Sequence, residues 1–95
     1  MTIQIIGIRF GGSARTHETI VAYRWVNPQT QKVDSSDKPT LVAWLDTKEA
    51  GHTAYVSDGR NTSQVGVVHH QHGQPYLRTH ADGKWTDNLL ALPTF

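Results

Sequence analysis

Ninety-five residues with a formal net charge of +1 make one small domain, 1–95, with no global pull towards nucleic acid or an acidic membrane. Hydrophobic residues are 37% and charged residues 18%, which excludes a disordered tail or a coiled coil. With no cysteine there is neither a disulfide framework nor a thiolate metal site, and no apolar run approaches the ~20 residues of a membrane span.

The elements follow in chain order. Thr2 to Phe10 is β-branched and bounded by Gly11-Gly12, which predicts a strand. Its apolar residues change phase, Ile3 and Ile5 on one parity and Ile6, Ile8 and Phe10 on the other. Either both faces are covered or a bulge sits near Ile5-Ile6. A polar loop leads to a second strand, from about Glu18 to Val26, that sets Val21, Tyr23 and Trp25 on one face. Asn27-Pro28-Gln29-Thr30 has the form of a turn, and Gln31 to Asp34 returns as the second arm of a hairpin.

Ser35-Ser36-Asp37-Lys38-Pro39 is a helix-start signal: Ser36 or Asp37 can accept from free amides, and Pro39 suits the first turn. Leu41, Trp44 and Leu45 at i, i+3 and i+4 form the stripe that packs on the sheet, with Trp44 as anchor. The helix is expected to end near Glu49 to Gly51, with Gly51 in the left-handed cap. Two strands follow, His52 to Ser57 and Gln64 to His70, then a last one, Tyr76 to His80. If the turn around Gly73 has two or four residues, Val65, Val67 and His69 share a face with Tyr76, Arg78 and His80. Val68 and His70 then share the other with Leu77 and Thr79. Asp87 to Leu92 reads as one helical turn stopped by Pro93. The fold class is α+β, a mainly antiparallel sheet of five to six strands ordered β-β-β-α-β-β-β, with one helix on one face and a short C-terminal helical turn.

Six histidines raise the question of a metal site. His69 and His70 are neighbours, and so point to opposite faces if extended; His70 and His72 would need His80 or Asp82 as a third ligand, and no H-E-x-x-H spacing is present. No metal and no cofactor are expected. For catalysis, Ser, His and Asp are abundant but no G-x-S-x-G elbow or phosphate loop occurs, and the carboxylate pairs Asp82/Asp87 and Asp46/Glu49 carry no mark of burial. For nucleic acid, Tyr55, Tyr76, Arg78 and His80 suit a stacking sheet face, although no Lys/Arg cluster accompanies them.

Tyr76-Leu77-Arg78-Thr79, Asp82-Gly83, Asp87-Asn88-Leu89-Leu90 and Leu92-Pro93 together resemble the ending of a small bacterial and phage domain family of uncharacterised function. The resemblance implies a single domain in a bacterial or phage cytoplasm and transfers no site. The expectation is a non-catalytic binding or accessory module acting through protein contacts, with an unknown protein or a second copy as partner, and without a membrane. The alternatives are a nucleic-acid-binding module using the face of the C-terminal hairpin, and a small enzyme or ligand-binding protein. Candidate binding residues are Tyr76, Arg78, His80, Asp82 and Asn88. The same segment also reads as a structural clasp, with Leu89 and Leu92 pressed on the sheet and Arg78 reaching Asp82 or Asp87.

Overall fold

The computed structural model describes residues 2–47, 51–57, 61–69, 73–81, 84–86 and 88–95. Strand β1 (Thr2–Phe10) pairs antiparallel with β2 (Ile20–Val26), and β2 with β3 (Val33–Asp37). Helix α1 (Lys38–Asp46) then carries the chain back across the sheet to β4 (Thr53–Ser57), which lies parallel to β1. From there β5 (Thr62–Val68), β6 (Tyr76–Ala81) and β7 (Lys84–Thr86) continue outward as an antiparallel meander. The sheet order is β3-β2-β1-β4-β5-β6-β7. The α+β class and the mainly antiparallel sheet with one helix agree with expectation; the short β7 is an addition.

The phase change in β1 is a bulge. Ile5 pairs with Trp25 and Gly7 with Arg24, so Ile6 is the extra residue, and Ile3, Ile5 and Ile8 all reach the core. A second register shift follows between Arg9 and Phe10, opposite Val21. It corrects the expected grouping: Ile20 turns into the core, while Val21, expected beside Tyr23, is 43% exposed.

In α1 the N-cap is Asp37, whose Oδ1 accepts from the Thr40 amide at 2.9 Å, with Pro39 in the first turn. The helix ends at Asp46, earlier than expected; Gly51 does take a left-handed φ of +66°, but beyond the helix end. The buried helix residues are Leu41 and Val42, with Trp44 and Leu45 half-buried beside them, so the anchor is the Leu41–Val42 pair rather than Trp44.

The register of β5 and β6 overturns the expected one. Val65 pairs with Thr79 and Val67 with Leu77, all on the core side, while Gln64, Gly66 and Val68 pair with His80, Arg78 and Tyr76 on the other. The connection spans residues 69–75, an odd number where a two- or four-residue turn was assumed, and one residue inverts the faces.

The sheet is strongly coiled. Burial drives the Tyr23 phenol on β2 far above its ordinary range, and His17, just before β2, stacks on Tyr76 at the start of β6 with 5.6 Å between rings. In a flat sheet β2 and β6 would stand four strand spacings apart, roughly 19 Å, which no stacked pair of rings spans. The contact across the core therefore requires the strands to curl around it. Inside lie Ile3, Ile5, Ile8, Tyr23, Leu77 and Leu89, all at most 1% exposed, with α1 packed against them. The C-terminal segment completes this side. A 3-10 turn, Asn88–Ala91, buries Leu89, and the chain then joins β1, with Ile8 N donating to Pro93 O and Phe95 N to Ile8 O. Among the described residues no helix is long and apolar enough to cross a membrane.

Candidate functional site

Side chains alternate across a strand, so the residues that do not face the core share the outer face. Register carries one row of them across the whole sheet: Val33, Val26, Gln4, Tyr55, Gln64, His80 and Trp85 are successive cross-strand partners. Neither α1 nor the 3-10 turn covers this row. Gln64 is exposed, Tyr55 and His80 are partly so, and Trp85 is 48% exposed.

The row is shaped around a glycine. A Cβ at Gly66 would meet the Trp85 ring at 3.2 Å and His80 Cδ2 at 3.4 Å. The indole thus crosses β6 to rest over Gly66 on β5, its ring 5.4 Å from His80 in an edge-on contact. At the other end of the face Phe95 lies over Gly7, whose added Cβ would meet its ring at 3.3 Å. The guanidinium groups of Arg9 and Arg24 stand 4.7 and 4.6 Å from the Phe95 ring centre, and Arg9 Nε donates to the Phe95 main-chain oxygen. The C-terminal residue therefore pins two arginines on the outer face.

Of the five residues singled out by sequence, the structure brings His80 into this row and aligns Arg78 with it, next to Gly66. Arg78 Nε donates to Thr86 O at 3.1 Å, fastening β6 to β7, where Thr79 and Thr86 also bond through their hydroxyls at 2.6 Å. Tyr76 begins the same strand but is buried, stacked on His17 with 5.6 Å between rings. Asn88 lies elsewhere: its Nδ2 donates to Ser63 Oγ at 2.7 Å, in a cleft of about 280 Å³ with Asn61, Ser57 and Pro93. Asp82 lies outside the described residues, as does Asp87, so the expected Arg78–aspartate contact falls there too. The leucine half of the clasp is present, with Leu89 buried and Leu92 packed against the core.

The chemistry this arrangement offers is recognition. Aromatic rings offer stacking surfaces, two carboxamides offer donors and acceptors, and arginines attract anions. Among the described residues the Asn88 cleft is lined by neutral groups, and a second cleft of about 210 Å³ lies between Trp25 and Trp44 under the helix. His69 Nε2 approaches Asp46 Oδ1 at 3.2 Å on the surface, and among the described residues no hydroxyl bonds to that pair. Nor do three His, Asp or Glu among them gather around one point; His70 and His72 are not among the described residues.

Sequence reasoning missed Trp85, Gln4 and Gln64. For Trp85 a signal existed: Asp82-Gly83 is a two-residue hairpin dipeptide, and the partners flanking it, Ala81 and Lys84, bring Trp85 opposite His80.

Fold and surface together define a small α+β domain with a coiled sheet, one face packed and one face open. The chain belongs to the family described as "Protein of unknown function (DUF3892)", which matches residues 4–93. No curated protein and no solved structure matches it.

Proposed function

We propose that this chain is a non-catalytic binding module whose working surface is the outer face of the sheet. One observation carries the reading: a continuous row with Tyr55, His80 and Trp85 stays uncovered on a sheet whose other face takes both the helix and the C-terminal turn. Trp, Tyr and Arg are the side chains that most often dominate binding energy, and here all three types share one face. A second copy docked through this surface would set one arginine-bearing face against another, which disfavours the homo-oligomer and favours a different chain as partner. The clefts, lined among the described residues by neutral or apolar groups or open to solvent beside α1, give less support to the small-enzyme alternative. The setting we propose, a bacterial or phage-infected cytoplasm, rests on the resemblance of the C-terminal third described above.

The test is site-specific photocrosslinking in the native host, with a photoreactive residue at Gln64 on the outer face or at Ala43 on the exposed side of α1. Gln64 is expected to capture a discrete species and Ala43 none. Capture at Ala43 alone would move the working surface to the helix and retire this reading.

A further inference from the structure

Resting on the outer face as the working surface, we infer that its occupant is an unpaired nucleic-acid strand. Charge points there first. Among the described positions in register with this face, the charged residues are Arg9, Arg24, Arg78 and Asp37. Asp37 is turned into the start of α1, where its carboxylate accepts from Thr40. The described residues of this face thus carry three arginines to one carboxylate, although the whole chain has a formal net charge of only +1.

Residue types narrow the ligand further. Trp85, laid over Gly66 on β5, meets His80 edge-on, and Tyr55 stands next to that strand on β4, so the rings form one platform on which bases can stack. Gln64 between them and Gln4 beyond Tyr55 present carboxamides, which pair with the donor and acceptor edges of unpaired bases. Arg9 and Arg24, held by Phe95, stand at the far end to meet phosphate. An acidic protein would use the arginines but has less need of that alternation of rings and amides. The face is also the outside of a coiled sheet. A duplex is stiff over this length and touches a convex surface along a line, whereas a single strand bends over it.

The experiment titrates the purified full chain into fluorescein-labelled dT12 and U12 and follows anisotropy at several salt concentrations. Two phosphate contacts predict a log–log salt slope of about −1.4, so going from 50 to 200 mM salt weakens binding about sevenfold. Arg24→Gln should cut that slope to about −0.7. Trp85→Ala and Tyr55→Ala should each weaken binding roughly 5- to 150-fold, with Trp85→Phe retaining most of it. Gln64→Glu is the second variant. It alters an exposed side chain, leaves the core untouched, and should reduce binding beyond detection by placing a carboxylate mid-row. Failure of both oligonucleotides to saturate the protein, or wild-type affinity in both Trp85→Ala and Gln64→Glu, overturns the inference. If that happens while Gln64 still crosslinks a protein, the outer face stands as the working surface with a protein occupant. If the crosslink fails as well, both readings fall.

Discussion

The two faces of this sheet are made from the same strands, often from adjacent residues, and they divide the labour. On β5 and β6 the inner residues Val65, Leu77 and Thr79 are almost without solvent, while Gln64 and His80, one position away, remain accessible. The contrast repeats among the tryptophans. Trp25 and Trp44 line the cleft under α1, with Trp25 Nε1 donating to Ser36 Oγ at 3.1 Å and Trp44 stacked on His52 at 4.0 Å. Trp85, on the outer face, rests over a glycine with half its surface open. Hydrophobic burial accounts for the first pair and not for the third: stability belongs to the inner face, and the outer face is the one we propose for recognition.

The largest expected effect tests the inner face. Leu77→Ala and Leu89→Ala each remove a fully buried side chain and should cost about 2–5 kcal/mol in denaturant unfolding. A loss below about 1 kcal/mol at both sites would mean that the coil does not close as described. Trp44→Ala should fall lower, near 2 kcal/mol, because Trp44 is half-buried and its chief partner is the His52 ring. A loss as large as that of Leu77→Ala would restore it as the anchor.

Gly66→Ala sharpens the comparison from the outside. The new Cβ would lie 3.2 Å from the Trp85 ring, so the indole must shift, while replacing a strand glycine gains about 0.5–1 kcal/mol of chain entropy. The melting temperature should hardly change, whereas Trp85 fluorescence, read in a Trp25→Phe, Trp44→Phe background, should shift. A large destabilisation would show that Trp85 is structural after all.

The smallest effect is the cap at the start of α1. The Thr40 hydroxyl, and then its amide, hold the Asp37 carboxyl below its ordinary value of 3.8. A depressed folded-state pKa contributes stability that is present above 3.8 and lost as pH falls through the folded value. Asp37→Asn should therefore flatten the slope of melting temperature against pH below about pH 4 and leave it unchanged at neutrality. An identical acid slope in both proteins would remove Asp37 from that role.

Local chemistry was legible and long-range register was not. The bulge at Ile6 was one of two readings of a phase change within one strand, and Asp37 one of two cap candidates in five consecutive residues. Val42 escaped because a single stripe at i, i+3 and i+4 ignores the neighbour that a coiled sheet also covers. The strand Lys84–Thr86 is too short to show a period, and the β5–β6 faces hung on whether one connection had an even or odd length. The outer row needs six strand pairings at once, so no local pattern could have assembled Tyr55, Gln64, His80 and Trp85. Among the predicted site residues, His80 lay in a stretch whose parity carried it to the open face. Tyr76 shares that parity but is buried by His17, a contact 59 positions away that no strand alternation encodes.

The most direct test of this division of faces reads all three indoles in one spectrum. Each tryptophan contributes one N–H resonance to a nitrogen–proton correlation map of the folded chain, and dT12 can be titrated into the same sample. The account predicts that the Trp85 indole resonance moves progressively with dT12, while the Trp25 and Trp44 resonances under α1 stay in place. Movement of Trp25 or Trp44 with Trp85 unmoved would contradict it and place binding on the helix side of the sheet.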